Sequence, residues 1–260
     1  MSKDSVRQVV NLLAVIGTIT MNGLANALPL NGQLTGEISD RFRVFFVPAG
    51  YVFSIWGLIY VGLLAFAVFQ ALPSQRQNAG LRRIGYLPCL SGVANVAWLF
   101  FWHYNLFGWT LVAMLLLLAS LLAIYLRLGI GQTPGVGAGE QWAVRVPFSI
   151  YLGWITVATL ANVTDVLSLT TWDGFGIGPE TWAVILLVLA TLVALAIAAT
   201  RRDTAYILVL TWAFAGIGVA QAGVPLVSTA AWITAAVTAL LAAWAGLRGM
   251  GARKAATLQP

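Results

Sequence analysis

The stretch that decides the fold class is WTLVAMLLLLASLLAIYLRL, at positions 109–128. A helix needs about 20 mostly apolar residues to cross the hydrocarbon layer of a membrane, and this stretch holds one charged residue, Arg127, close to its end. Polar and apolar residues do not alternate along it, so a helix is favoured over a strand. In hydrocarbon an unpaired backbone group is also too costly for an open strand. The stretch therefore predicts a transmembrane helix.

Similar apolar stretches recur along the whole chain. They cover about 8–29, 48–72, 84–103, 109–128, 142–167, 181–200, 204–222 and 227–247. With 60% hydrophobic and 8% charged residues, the composition is far from the roughly 25% charged residues of soluble domains. The 260 residues leave no room for a soluble domain of ordinary size beside these spans. We predict an all-α polytopic membrane protein with about eight transmembrane helices.

The Lys and Arg residues, 14 in all, mark one side of the predicted membrane protein. The two tails and the connections after the second, fourth and sixth spans contain Lys3, Arg7, Arg76, Arg82, Arg83, Arg127, Arg145, Arg201, Arg202, Arg248, Arg253 and Lys254. The opposite side holds only Arg41 and Arg43. Because basic connections stay in the cytoplasm, we expect both termini inside, in a bacterial cytoplasmic (inner) membrane. Anionic lipid near these loops accounts for the net charge of +6, so nucleic-acid binding is not expected.

The first apolar stretch is expected to be a retained helix. Lys3 and Arg7 precede it, as in a secretory signal, and Ala25-Asn26-Ala27 resembles a cleavage site. The run at 9–30 is longer than the usual core of a signal peptide and is interrupted by asparagines. Cleavage is therefore not expected.

Few side chains in the predicted spans could carry chemistry. Asp165 lies near the outer end of the fifth span, and its favoured interpretation is a solvated carboxylate rather than part of an ion pathway. His103 stands at the outer end of the third span, as an interfacial side chain or, alternatively, as an axial ligand of haem iron. The single cysteine, Cys89, is expected to be a buried, inert thiol. The sequence has no metal-ligand spacing, phosphate-binding loop or serine elbow, so a catalytic or metal site is not expected.

Aromatic residues are the remaining candidates for a site. The chain contains 11 tryptophans, and several lie too deep in the predicted spans to belong to the interfacial belt. The deep tryptophans are Trp56, Trp98 and Trp154, and their polar neighbours at helical spacing are Tyr60, Asn95, Tyr151 and Asn162. Spacings of about three, four and eight residues keep such side chains on one helical face. Two interpretations stay open: hydrogen bonds that hold the helices together, or the lining of a ligand cavity.

Three segments carry a family resemblance. They are PAGYVFSIWGLIY at 48–60, NVAWLFF at 95–101, followed by Gly108-Trp109, and YLGWITVATLAN at 151–162. In this order they resemble the second, third and fifth helices of the TspO/MBR family, the tryptophan-rich sensory proteins and the mitochondrial translocator protein. The resemblance covers about residues 12–167, and its specificity comes from the order of the three motifs on the matching helices.

The resemblance implies a ligand-binding membrane protein with an extension. Typical members have five helices, so residues 1–167 would form a TspO-like five-helix bundle and residues 168–260 a three-helix extension with a short cytoplasmic tail. Members bind porphyrins, and some bind sterols or drug-like ligands, in a pocket between the helices. The residues that would line or support this pocket here are Pro48, Trp56, Tyr60, Asn95, Trp98, Phe101, Tyr151, Trp154, Ala158 and Asn162. Members often form homodimers, which the resemblance implies as an assembly for this chain.

The two outer arginines extend the implied site. The propionates of a porphyrin would suit Arg41 and Arg43, while an ion-pair cluster with Glu37 and Asp40 is the alternative. The chain departs from the family pattern in the loop at 30–47, which holds no tryptophan. Degradation of porphyrin by light, reported for some members, is therefore not expected.

We expect a protein of the lipid bilayer that binds a hydrophobic planar ligand, a porphyrin or other tetrapyrrole first, for sensing, storage or transfer. The resemblance implies a receptor or transport role without turnover, and it implies no required cofactor, porphyrin or haem being the ligand itself. Two alternatives stay open. One is a transporter of a small hydrophobic substrate, and the other is a structural or assembly subunit that docks partners through its small-residue helices.

Overall fold

A computed structural model describes residues 2–257, with side chains up to residue 249, and within this range the chain is helical and without β-strands. Eight long helices form the framework. They are α1 Lys3–Ala27, α2 Ile55–Ala71, α3 Leu87–His103, α4 Phe107–Arg127, α5 Val146–Ser168, α6 Pro179–Thr200, α7 Thr204–Ala220 and α8 Pro225–Thr257. Each predicted span overlaps one of these helices, so the predicted all-α fold is confirmed.

Among the described residues, six helical segments are long and apolar enough to cross a membrane. They are Lys3–Ala27, Gly50–Ala71, Phe107–Arg127, Ala138–Ser168, Pro179–Thr200 and Pro225–Gly249. The other two predicted spans, the third and the seventh, form α3 and α7, which have 17 residues each. Length and composition thus define a polytopic membrane protein.

Two helices begin at least a full turn later than the sequence predicts. The second span is predicted from residue 48, but α2 begins at Ile55. Pro48 has no N–H donor for a helical bond, and Gly50–Ser54 forms a 3₁₀ turn directly before α2. The fifth span is predicted from residue 142, but α5 begins at Val146, after a π-helical turn at Gln141–Arg145. Both predicted starts are therefore too early by about one turn or more.

The chain forms two compact units. The first consists of the residues up to Val44, Ser54–Gly129 and Thr133–Trp172, and it contains α1 to α5. In this unit α3 packs against α1 and α4, α5 packs against α4 and α2, and α1 packs against α2. The second unit consists of Phe45–Phe53, Ile130–Gln132 and the residues from Asp173, so α8 packs with α6 and α7 there. Two short segments of the predicted first domain thus belong to the second unit.

One of these short segments packs on α7. The Ala49 N–H donates to the Gly216 carbonyl at 3.1 Å, and the indole N–H of Trp212 donates to the Val52 carbonyl at 3.2 Å. The Tyr51 ring lies edge-on to that of Trp212, with 5.4 Å between the ring centroids. Residues 212 and 216 are one helical turn apart, so a single face of α7 holds this segment.

Replacement of Gly216 by alanine is expected to destabilise the second unit. A Cβ atom at this position would lie 2.2 Å from Cγ2 of Val52 and 3.2 Å from Cβ of Pro48. Overpacking of this kind costs about 1–3 kcal/mol, which a lower melting temperature of the purified protein in detergent would report. Gly223 is the matched control in the same unit, because a Cβ there meets nothing within 4 Å. Equal melting temperatures for Gly216→Ala and Gly223→Ala would contradict the prediction.

Candidate functional site

The centre of the candidate site is a set of four aromatic rings on α2 and α5, which we call the indole–phenol cluster. It consists of Trp56, Tyr60, Tyr151 and Trp154. The Trp56 ring is stacked on that of Tyr60, with 5.7 Å between centroids. It lies edge-on to Tyr151 at 5.9 Å and to Trp154 at 6.4 Å. Tyr151 and Trp154 are buried, whereas Trp56 and Tyr60 are half-buried, so α5 supplies the inner half of the cluster and α2 the accessible half.

A chain of buried amides supports the cluster from behind. The Asn95 amide donates to the Tyr151 hydroxyl at 3.2 Å, and the Asn22 amide donates to Oδ1 of Asn95 at 2.6 Å. Asn22 also donates to the Thr18 carbonyl of its own helix at 2.8 Å. These bonds connect α1, α3 and α5 in an interior where an unpaired polar group is costly. The position of the Tyr151 ring is therefore set by three helices.

A second aromatic group, the outer aromatic stack, involves α3 and the loop after α1. Trp98 is stacked on Trp102 at 5.1 Å between centroids, and Trp102 on Phe42 at 5.5 Å. The Trp98 indole N–H donates to Oδ1 of Asn162 at 3.3 Å, and the Asn162 amide donates to the Thr110 hydroxyl at 3.0 Å. Predicted residues of the third and fifth helices thus meet each other here through hydrogen bonds between helices.

Several predicted site residues are not members of these two groups. Pro48 is buried in the second unit, beside Gly216. Phe101 is half-buried and packs against Trp109 at 6.1 Å between centroids, and Ala158 is half-buried on α5. The indole–phenol cluster and the outer aromatic stack therefore include only some of the predicted ligand-binding residues.

The outer arginines do not form the alternative ion-pair cluster. Arg41 donates to Oδ1 of Asn105 at 3.1 Å and to Oε1 of Gln33, and Glu37 accepts a hydrogen bond from the Leu34 N–H at the start of its own short helix. In the part of the chain that the structure describes, neither Arg41 nor Arg43 pairs with a carboxylate. Both arginines are exposed, so their charge remains available on the loop after α1.

His103 is not an interfacial side chain, because its exposed fraction is 0%. Its Nδ1 lies 2.8 Å from the Leu99 carbonyl, and its Nε2 lies 3.3 Å from the Thr35 hydroxyl. Asn31 and Gln33 donate to the His103 carbonyl at 2.9 and 2.8 Å, so the loop after α1 covers the residue. With both ring nitrogens engaged, the histidine has no free position for a haem iron.

Asp165 is also buried, with 7% of its surface exposed. The interpretation as a solvated carboxylate is therefore wrong. Cys89 is half-buried rather than buried. Among the described residues, no group of three or more His, Cys, Asp or Glu side chains could hold a metal ion.

Four contributors to these groups were not predicted as site residues. They are Asn22, Phe42, Trp102 and Thr110. Trp102 follows Trp98 by one helical turn, and this spacing is a signal that could have identified it. Phe42 lies in a loop, so no periodicity of the sequence points to its ring.

The fold and these contacts define a helical membrane protein with an aromatic interior stabilised by amide hydrogen bonds. Comparison with protein families gives a match to the model for TSPO-like proteins over residues 8–244. The chain therefore belongs to the TSPO-like family, as the motifs on α2, α3 and α5 predict. The match extends beyond residue 167, so α6 and α7 and most of α8 lie within the matched region. Comparisons with curated proteins and with solved structures give no match.

Proposed function

We propose that this protein binds a hydrophobic planar ligand, with a tetrapyrrole such as protoporphyrin IX or haem as the first candidate. The role would be sensing, storage or transfer in a bacterial inner membrane, with both termini in the cytoplasm. The observation that carries the proposal is the indole–phenol cluster, in which the half-buried Trp56 ring is stacked on Tyr60 and lies edge-on to the buried rings of Tyr151 and Trp154. Membership of the TSPO-like family supports the same function.

The cluster suits a flat macrocycle for a physical reason. Indole and phenol rings stack offset or edge-on to other π-systems and contribute about 0.5–1.5 kcal/mol per pair beyond the burial of their area. Tyr151 is held by the buried amide chain, so it provides a fixed floor. Trp56 lies in the first turn of α2, and its half-buried ring is the one that would move aside to admit a ligand.

Arg41 provides a complement for the acidic groups of such a ligand. It contacts the turn between α3 and α4 through Asn105, at the end of the first unit where α2 begins with Ile55 and Trp56. Its two side-chain partners are neutral amides, Asn105 and Gln33. Guanidinium groups form strong hydrogen bonds with carboxylates, so the propionates of a tetrapyrrole would be directed to this loop.

Binding is expected to weaken at least about fivefold when either Trp154 or Trp56 is replaced by leucine, because a lost ring contact of about 1 kcal/mol corresponds to this factor. The measurement is a titration of the full-length protein in detergent with protoporphyrin IX and with haem, followed by tryptophan fluorescence and Soret absorbance. We expect saturable binding at micromolar concentrations.

Trp109→Leu is the matched control for this experiment. Trp109 lies on α4 of the same unit, is 59% exposed and contacts Phe101 rather than the indole–phenol cluster. Weakening of the same size in all three variants, or no binding above empty detergent by a protein shown to be folded, would contradict the proposed function. The aromatic rings would then serve as packing between helices.

A further inference from the structure

A cleft opens at the end of the first unit opposite to Trp56, where α2 ends and α4 runs into the loop before α5. Its volume is about 330 Å³. The short helix Ala79–Ile84 and the glycine-rich segment at 133–137 form its walls. The polar side chains that line it are Asn78, Arg83, Thr133, Glu140 and Arg145. The cleft lies among the basic connections that are predicted to face the cytoplasm.

Arg83 brings an uncompensated positive charge to this cleft. Its side chain is exposed and donates to the Arg127 carbonyl at 3.1 Å. Among the described residues it has no carboxylate partner. The neighbouring Arg82, in contrast, is paired with Asp4 at 2.5 Å, and this carboxylate raises the pKa of the Arg82 guanidinium. Arg83 is thus free to receive an anion.

The acidic residue of the cleft is already neutralised. Oε1 of Glu140 accepts a hydrogen bond at 2.9 Å from Nε of Arg145, which is buried, and lies 2.9 Å from Nη2 of the same guanidinium. Oε2 of Glu140 accepts a hydrogen bond at 3.3 Å from the Asn78 amide. Two guanidinium groups and one carboxylate leave the lining with an excess of one positive charge. An anion that enters therefore meets Arg83 without direct competition from Glu140.

The glycine-rich wall adds backbone donors. Within the described residues, the N–H groups of Gly135, Val136 and Gly137 have no hydrogen-bond acceptor in the chain. Gly135 has a φ of 68°, a left-handed conformation that glycine adopts without steric cost. Successive backbone N–H groups in such a turn form concave binding sites for anions. The Thr133 hydroxyl is not available, because it donates to the Leu128 and Gly129 carbonyls.

We propose that this cleft binds a phosphate-bearing anion through the Arg83 guanidinium and the N–H groups of residues 135–137. A guanidinium together with several N–H donors matches the oxygen atoms of a phosphate. The volume lies at the lower end of the range for small-molecule sites, which suits a phosphate with a small substituent. Leu128 and Val136 in the lining can contact an apolar part of that substituent. The phosphate belongs either to the headgroup of an anionic phospholipid or to a soluble phosphate ester. This binding is separate from the proposed tetrapyrrole site.

The test uses the full-length protein in an uncharged detergent and isothermal titration calorimetry. The probes are dihexanoyl phosphatidylglycerol and inorganic phosphate, with zwitterionic dihexanoyl phosphatidylcholine for comparison. Arg83→Gln is expected to weaken binding at least about fivefold, since it removes one charge-assisted hydrogen bond. Arg76→Gln is the matched control: Arg76 is exposed in the same connection, has the same charge and does not line the cleft.

Gly137→Pro is a second variant that leaves every side-chain charge unchanged. Gly137 has a φ of −64°, which is the value that a proline ring imposes, and a Cβ there meets nothing within 4 Å. The substitution removes one N–H donor and keeps the carbonyl that accepts from the Gln141 N–H. It is expected to weaken binding severalfold, and circular dichroism would verify that the variant is folded.

The outcomes separate the two sources of phosphate. Binding of phosphatidylglycerol alone, weakened by Arg83→Gln and not by Arg76→Gln, would support a lipid headgroup. Binding of inorganic phosphate with the same dependence on Arg83 would support a soluble phosphate ester. If neither probe binds at millimolar concentration, or if the two arginine variants weaken binding equally, the proposal is overturned. Anions would then be attracted by the summed charge of the basic surface, without a specific site in the cleft.

Discussion

Substitution of alanine for Gly131 is expected to destabilise the second unit by about 3 kcal/mol, the largest effect that we predict for a single methyl group. A Cβ atom at this position would lie 1.8 Å from the Arg201 carbonyl oxygen, a distance at which the backbone itself has to move. Gly131 also has a φ of 79°, where a side chain costs about 1–2 kcal/mol. Steric clash and backbone strain therefore act together.

The measurement is the melting temperature and the folded yield of the purified variant in detergent. Gly176→Ala separates the two causes, because Gly176 lies in the same unit with a φ of 73° and a Cβ there meets nothing within 4 Å. The Gly176→Ala variant should lose only about 1–2 kcal/mol of stability, the cost of a side chain in this backbone conformation. Equal losses in the two variants would show that the approach of the Arg201 carbonyl does not limit stability.

The contact of Gly131 with Arg201 illustrates which part of the fold the sequence could not predict. Apolar length predicts each helix, since every span has to satisfy its own backbone hydrogen-bonding groups. The helices lie at the predicted spans, apart from the late starts of α2 and α5. The assignment of short connecting segments to one unit or the other depends on contacts between residues far apart in the chain. The segment at 45–53 packs on α7 through Ala49 and Gly216, and no pattern in the sequence around either residue predicts this contact.

The candidate site was predictable to the extent that helical spacing determines it. Tyr60 follows Trp56 by one turn, and Trp154 follows Tyr151 by about one turn, so each pair shares a helical face. The structure brings these two faces together, with Trp56 against Tyr151 and Trp154. Which face of one helix meets which face of another is set by the packing of the whole unit. The periodicity of a single helix therefore does not predict which helix its aromatic face will contact.

The two wrong interpretations have a common physical origin. His103 and Asp165 stand near helix ends, where side chains often reach water. The loop after α1 covers His103 through Asn31 and Gln33, and Asp165 is only 7% exposed although α5 ends at Ser168, less than one turn later. Position along a helix therefore indicates depth in the membrane but does not indicate whether a neighbouring loop shields the side chain.

Replacement of Asn95 by leucine is expected to cost about 2 kcal/mol of stability, because it removes two hydrogen bonds and leaves buried partners without them. Asn22 would lose an acceptor at 2.6 Å, and the Tyr151 hydroxyl would lose a donor at 3.2 Å. Unfolding in mixed micelles of detergent and SDS would measure the loss. Asn26→Leu is the matched control, since Asn26 is exposed and bonds only to the Asn22 carbonyl of its own helix.

The double variant Asn95→Leu with Tyr151→Phe makes this test specific. If Asn95 and Tyr151 stabilise the protein through their shared hydrogen bond, the double variant should lose less stability than the sum of the two single losses. The reason is that Tyr151→Phe removes the hydroxyl that Asn95→Leu leaves without a donor. Additive losses, or equal stability of Asn95→Leu and Asn26→Leu, would contradict a buried network.

The comparison of variants also separates the two interpretations of the aromatic interior, hydrogen bonds between helices and the lining of a ligand site. Trp56→Leu, at a half-buried ring, should act mainly on ligand affinity. Asn95→Leu should act mainly on stability, since Asn95 is hydrogen-bonded to Asn22 on α1 and to Tyr151 on α5.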